Sequence, residues 1–355
     1  MIIRTYGDTD FITGLRAIAA TMVVIMHTGA LASLGDFGGV VNSAGKYGVD
    51  VFFVISGFTV AKTFTDATGY RPYLIRRLFR IVPLYWVMIC AGMVSARSGV
   101  DVSNWMTDLG ASPDVYNLVM HLSLLSYLDY RVANSVLGVE WTIPVEIFWY
   151  VMLPVFLGFA KTLSRVFGAV LVLAVLTGVL SYLSKEFLGT SMAVKWSPVA
   201  SGHWFFVGAF TYVLRNRLGD HVSSGMTTLA WGAIGMFALA VSFKFTGRGE
   251  IIGLATAVLL VTASTTRVPA LTRVLAAPVM LFIGSISYSI YLAHPLVIAL
   301  FHSAGINTGS EFVDFLAIYA VTLLLSTMTY VVIERPTNRA GAWLANRDGG
   351  RVNPV

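Results

Sequence analysis

Arg16 and His27 lie eleven residues apart in one apolar stretch, a spacing that predicts a shared helical face. At about 100° per residue the two side chains point within roughly 20° of each other, about 16 Å apart along the axis. Three more titratable residues, Asp50, Glu146 and His294, fall in other apolar stretches. At about 1.5 Å of rise per residue, they reach a depth similar to that of His27. A neutral imidazole can take the proton of a hydroxyl, and a neighbouring carboxylate can orient the ring and stabilise the imidazolium. If His27, Asp50, Glu146 and His294 face one cavity, the chemistry they offer is general-base activation of a hydroxyl. A charge at the centre of a membrane helix costs about 2.5 to 3.5 kcal/mol on insertion scales, so each one retained there is a candidate for function.

Plainer roles compete with this one. His294 precedes Pro295 and could simply satisfy backbone groups that the proline frees. Asp50 is close enough to the membrane surface to be a solvated residue at a helix start. Glu146 is harder to dismiss, because the run Trp141-Thr142-Ile143-Pro144-Val145-Glu146-Ile147-Phe148-Trp149-Tyr150 offers an unpaired carboxylate little but apolar and aromatic surroundings. A basic cluster, Arg76, Arg77 and Arg80, opens another apolar stretch. It reads as a topology anchor on anionic lipid headgroups or as a phosphate site, with Arg77 and Arg80 on one helical face.

The elements that must hold these residues follow from composition. The 355 residues are 56% hydrophobic and only 12% charged, against about 25% charged in soluble domains. With a mean hydropathy of +0.76, one buried core cannot hide so much apolar surface, and most of it must face lipid. The expected fold is an all-α, polytopic bundle of about ten spans, at 12–32, 47–65, 78–97, 139–160, 166–184, 199–214, 226–245, 250–266, 279–301 and 312–334. The stretch 115–128 is expected to be interfacial or re-entrant. With the N-terminus in the cytoplasm, sixteen Lys and Arg fall on the cytoplasmic side and seven outside, which supports cytoplasmic termini. The charge of +6 therefore reads as topology and calls for no nucleic-acid partner. One cysteine, Cys90, excludes an intrachain disulfide and a cysteine-based zinc site, and no metal is expected. Ala30-Leu31-Ala32 could end a signal peptide, but Asp8, Asp10, Arg16 and His27 argue against cleavage.

In this order the segments resemble the membrane-bound acyltransferase-3 family, bacterial enzymes that O-acylate cell-surface and exported carbohydrates. The likeness runs from about Phe11 to Arg339. Gly14-Leu15-Arg16 through His27 matches the family's arginine, ten residues, histidine pattern, and Gly48-Val49-Asp50 through Ser56-Gly57-Phe58 matches its most typical stretch. Arg77 and Arg80 resemble its R-x-x-R element, and Trp141 to Tyr150 its tryptophan, glutamate, aromatic segment. Tyr288-Ser289-Ile290-Tyr291-Leu292-Ala293-His294-Pro295 and Glu334-Arg335-Pro336 complete the set. Many relatives have serine and no proline in the fourth-span motif, which weakens the transfer of a detailed role to Glu146.

The resemblance implies an acyl-CoA donor, usually acetyl-CoA, approached from the cytoplasm, a carbohydrate or glycolipid acceptor, the bacterial inner membrane as the setting, and no permanently bound cofactor. It assigns importance to Arg16 and His27 and puts Arg77 and Arg80, with Arg76 beside them, near the donor. Ser56, Tyr288 and His294 are secondary candidates. The expected organisation is one transmembrane domain over 1–340 and a short polar tail over 341–355, without the extra periplasmic domain that family members often carry. The expected mechanism has His27 deprotonating the acceptor while Glu146 or Asp50 orients the ring; a covalent acyl-histidine is the second version. A proton-coupled transporter of a sugar or lipid-linked intermediate would use the same buried charges as a relay, and a non-enzymatic export component would not need His27.

Overall fold

The computed structural model describes residues 10–67, 69–160, 162–219, 224–266 and 269–348. Arg4, Asp8, Lys161, Arg267 and Arg351, which enter the charge argument, lie outside the described residues, as does 349–355 of the tail. Every regular element among the described residues is helical. Helix α1 (Asp10–Thr28) is followed by Gly29 at φ +66°, a left-handed position that ends the helix four residues before the expected boundary. His27 therefore sits in the last turn of α1 and not two thirds of the way up a longer span. A ten-residue helix, α2 (Gly35–Ala44), precedes α3 (Gly48–Thr65). Helix α4 (Tyr70–Arg97) starts eight residues earlier than expected, with Pro72 tolerated in its first turn, so Arg76, Arg77 and Arg80 all lie inside it.

The segment after α4 carries α5 (Trp105–Asp108) and α6 (Val115–Leu122). At about 1.5 Å per residue the latter is roughly 12 Å long, too short to cross a membrane. Then come α7 (Thr142–Phe159), α8 (Leu163–Leu188), α9 (Met192–Lys195), α10 (Pro198–Leu218), α11 (Ser224–Ser242), α12 (Arg248–Thr266), α13 (Pro269–Leu275), α14 (Pro278–Ser285), α15 (Ser287–Ser303), α16 (Glu311–Thr329) and α17 (Arg335–Asp348). Among the described residues, seven segments are long and apolar enough to cross a membrane: α1, α4, α7, α8, α11, the α2–α3 segment, and α16 with its continuation. The pair α14 and α15, bent by 68°, makes an eighth.

Two of the expected spans, now α10 and α12, are helices of 21 and 19 residues outside that set. Helix α10 packs against α3 and α8 and buries Trp204, Phe205, Phe206 and Val207, so it needs less lipid-facing hydrophobicity than a peripheral span. Its contact with α3 is backbone to backbone: a Cβ at Gly57 would fall on the Phe205 carbonyl oxygen, and one at Gly208 on that of Val54. Helix α8 is the opposite case, apolar all round with only Val166 and Ser184 buried.

After α16 the chain makes a π-turn over Tyr330–Glu334 and continues as α17 along α4, where Gly341 meets Phe79 and Arg76 donates to Asn346 at 2.6 Å. Residues 341–348 thus extend that helix.

Candidate active site

Helices α1, α3, α4, α7 and α15 enclose a cavity of about 620 Å³. On α3 its wall includes Val49, Phe52, Ser56, Thr59 and Thr63, a three-to-four-residue spacing that, with Asp66 just past the helix end, makes one face about 26 Å long. Lys62, Asp66 and Arg76 stand at one end, where α3 finishes and α4 begins; this is called the basic end. Arg16, Arg77, Arg80, Glu146, Ser56 and Tyr288 all line the same cavity. Seven sequence-predicted residues, Arg76 among them, are therefore brought together.

Arg77 is almost wholly buried. Its Nη2 donates to the Thr59 carbonyl at 2.8 Å and to Thr63 Oγ1 at 2.6 Å, and its guanidinium lies 5.0 Å from the Tyr150 ring and 5.7 Å from that of Tyr73. This arginine ties α4 to α3 and α7 while keeping its other donors in the cavity. Arg16 and Arg80 are half-buried cations of one charge cluster that also includes Glu146 and Glu334. Glu146 Oε1 accepts both from Ser56 Oγ at 2.5 Å and from the Tyr150 hydroxyl, which holds the carboxylate on the cavity wall. Tyr288 donates to the Ile81 carbonyl at 2.7 Å and fixes α15 to α4.

The two histidines meet. His294 Nε2 lies 3.2 Å from His27 Nδ1, with ring centroids 5.0 Å apart. His294 Nδ1 is 3.1 Å from the Ile290 carbonyl, and His27 Nδ1 is 3.0 Å from that of Val23. Carbonyls only accept, so His294 carries its proton on Nδ1 and presents a bare Nε2. His27 Nδ1 then has two acceptors for neighbours and must carry the proton, which leaves the lone pair of His27 Nε2 free. His294 is fully buried and His27 is exposed. The carbonyl that Pro295 frees is that of Tyr291, so the bond to the Ile290 carbonyl is not the plain role weighed for a histidine before proline; contact with His27 comes in addition.

Neither carboxylate orients His27. Glu146 is held by hydroxyls on α3 and α7, and Asp50 turns away from the cavity towards Trp204 on α10, with Glu250 and Lys46 nearby. The early end of α1 at Thr28 takes His27 out of the layer expected for the four groups, and depth carries no direction around the helix axis. Neither histidine lines the cavity; the nearest wall residue to the pair is Tyr291, whose ring centroid is 6.2 Å from that of His294. Beyond the pair, at the end of the bundle opposite the basic one, a pocket of about 430 Å³ is lined by Thr28, Ile298, His302, Asn307, Glu311 and Asp314. Thr28 is the neighbour of His27, and Ile298 is one turn beyond His294.

Two carboxylates were not among the expected site residues, although Glu334 belongs to the closing Glu334-Arg335-Pro336 segment. Glu334 accepts from Ser289 Oγ at the start of α15, and a buried carboxylate at the end of the last expected span was the available signal. Glu140 lies just before α7 and accepts from the backbone N–H groups of Val136, Leu137 and Val139 at 2.6, 3.0 and 3.0 Å. Its Oε1 is 3.9 Å from Nε2 of the buried His121, which also bonds the Val132 carbonyl and the Tyr85 hydroxyl. Burial pushes the Glu140 carboxyl up to about 7, despite the three N–H groups, and pushes His121 down to about 4.

The raised carboxyl adds stability at low pH that fades as pH climbs from about 4.5 to 7, whereas the lowered imidazole adds stability that is lost as pH falls from 6.5 to about 4. The two slopes oppose each other. Glu140→Gln is therefore expected to make the thermal midpoint in detergent rise steadily from pH 4.5 to 6.5, where the parent protein stays nearly level; equal slopes in both would disprove this pairing.

Residues 9–331 match the acyltransferase-3 family, described as an acyltransferase domain. The "Putative peptidoglycan O-acetyltransferase YrhL" of Bacillus subtilis (strain 168) is 24% identical over 367 residues, covering 92% of this chain and 54% of YrhL. The "Exopolysaccharide production protein ExoZ" of Rhizobium meliloti (strain 1021) is 28% identical over 313 residues, covering 84% of this chain and 90% of ExoZ. The chain thus spans about half the length of the first relative and most of the second. No solved structure matches it. The family match runs from before α1 into the π-turn after α16 and includes every residue that lines the cavity, and the chain accordingly belongs to the acyltransferase-3 family.

Proposed function

We propose that the protein is a membrane O-acyltransferase that moves an acyl group, most simply acetyl, from acyl-CoA to a hydroxyl of an exported or cell-surface carbohydrate. The observation that carries this reading is the position of the histidine pair. It lies one aromatic ring beyond a cavity whose mouth is basic and next to a polar pocket at the opposite end. The names of the relatives, peptidoglycan for one and exopolysaccharide for the other, supply the carbohydrate class.

In this reading the basic end faces the bacterial cytoplasm, an orientation that the charge asymmetry supports. The CoA phosphates stay near Lys62, Arg76 and Arg77, and the pantetheine arm passes Arg80 and Arg16 towards Tyr291. The acceptor enters from the Thr28 side. His27 Nε2 takes the hydroxyl proton, the oxygen attacks the thioester carbonyl, the C–S bond breaks, and the departing thiolate recovers a proton from the imidazolium. His294 receives the His27 Nδ1–H bond and keeps the ring in the reactive tautomer, the task first expected of a carboxylate. A covalent acyl-histidine is the variant in which label would exchange between CoA and acyl-CoA without acceptor.

The test supplies radiolabelled acetyl-CoA to inside-out membrane vesicles and measures base-labile label in the carbohydrate. Label that depends on the protein is the expected result. Proton-dependent uptake of a sugar with no acylated product would instead identify the transporter, which the family match disfavours.

A further inference from the structure

Ser287 is the first residue of α15, at the 68° break from α14. Its side chain is fully buried, lines the cavity, and has an Oγ with no hydrogen-bond partner in the protein. A buried hydroxyl left unpaired is costly, so an orphan on the wall of a substrate cavity marks a place where a ligand completes the bond. The local charge says which kind of ligand. The start of α15 would favour an anion, but Glu334 already occupies that end through the Ser289 hydroxyl and backbone N–H. Around Arg16 and Arg80, the carboxylates of Glu146 and Glu334 balance the two cations. A second anion at this level would face Glu334, whereas a neutral carbonyl oxygen would not.

Depth narrows the choice. Ser287 is seven residues before His294 on one helix, about 10 Å towards the basic end. If the thioester reacts at the histidine pair, the atom beside Ser287 belongs to the pantetheine arm, between the phosphates at the mouth and the sulfur. The amide adjoining the cysteamine unit is too near the sulfur to reach back that far. We propose that Ser287 is a positioning residue whose hydroxyl donates to the carbonyl of the pantetheine amide farther from the sulfur, holding the arm in register so that the thioester arrives at His27. This rests on acyl-CoA being the donor.

A series of donors separates the two ideas. Wild-type protein, Ser287→Ala and Ser287→Thr in vesicles are given acetyl-CoA, acetyl-pantetheine, which lacks the phosphates, and S-acetyl-N-acetylcysteamine, which also lacks the farther amide. Ser287→Ala is expected to lower kcat/KM about tenfold for the first two donors, to leave the third unchanged, and to be rescued at least in part by Ser287→Thr. A loss confined to acetyl-CoA would move the contact to a phosphate and overturn the proposal. So would an equal loss on all three donors, the mark of a structural role, or no loss on any. If the wild type transfers from none of the three, the acyl-CoA reading itself falls, whatever the variant does.

Discussion

His27→Ala is expected to abolish most of the transfer, lowering the rate of carbohydrate labelling by about two to four orders of magnitude, the range for loss of a positioned general base. The KM for acetyl-CoA should change little, because His27 is outside the cavity wall that the donor would occupy. His294→Gln should give a smaller loss and a displaced pH–rate profile. Its side chain can still accept from His27 Nδ1 but responds differently to the charge that develops on the ring. Full labelling by His27→Ala, measured with labelled acetyl-CoA in vesicles, would remove the base assigned here.

The second large effect concerns assembly. Gly57→Ala adds one methyl group where the α3 backbone meets the Phe205 carbonyl oxygen of α10. Both neighbours are backbone, so the helices must separate, at a penalty of about 3 kcal/mol, the upper part of the range for overpacking. Since α3 supplies the longest wall of the cavity, activity should fall with stability. Gly158→Ala on α7 is the matched control: nothing lies within 4 Å of a Cβ there, and the change should be neutral or mildly stabilising. Equal thermal midpoints for the two variants in detergent would contradict the close approach of α3 and α10.

Much of this architecture is legible in the amino-acid order because lipid imposes length and hydropathy on each span. The Arg16-to-His27 spacing, the basic cluster of α4 and the intramembrane Glu146 could all be singled out from it. Azimuth could not. The start of α3 packs beside Ala19 and Val23 of α1, so Asp50 lies well below His27, and it faces Trp204 while His27 meets His294, a difference set by how α3 packs against α1 and α10. The break at Ile286 has no proline at its corner. Glu140 is held by three N–H groups of an irregular segment, so no periodicity flagged it. Ser287 became visible only when its hydroxyl proved to be unpaired.

The π-turn over Tyr330–Glu334 fixes the phase of everything downstream of it. A π-turn accommodates one more residue than an α-turn, and one residue corresponds to about 100° of rotation. Without that extra residue Glu334 would swing from Ser289 towards the bilayer, and the stripe of α17 that carries Gly341 would no longer face Phe79. A single phase offset thereby lets one continuous run of helix serve two environments, lipid along α16 and the flank of α4 along α17, while delivering a carboxylate to the start of α15.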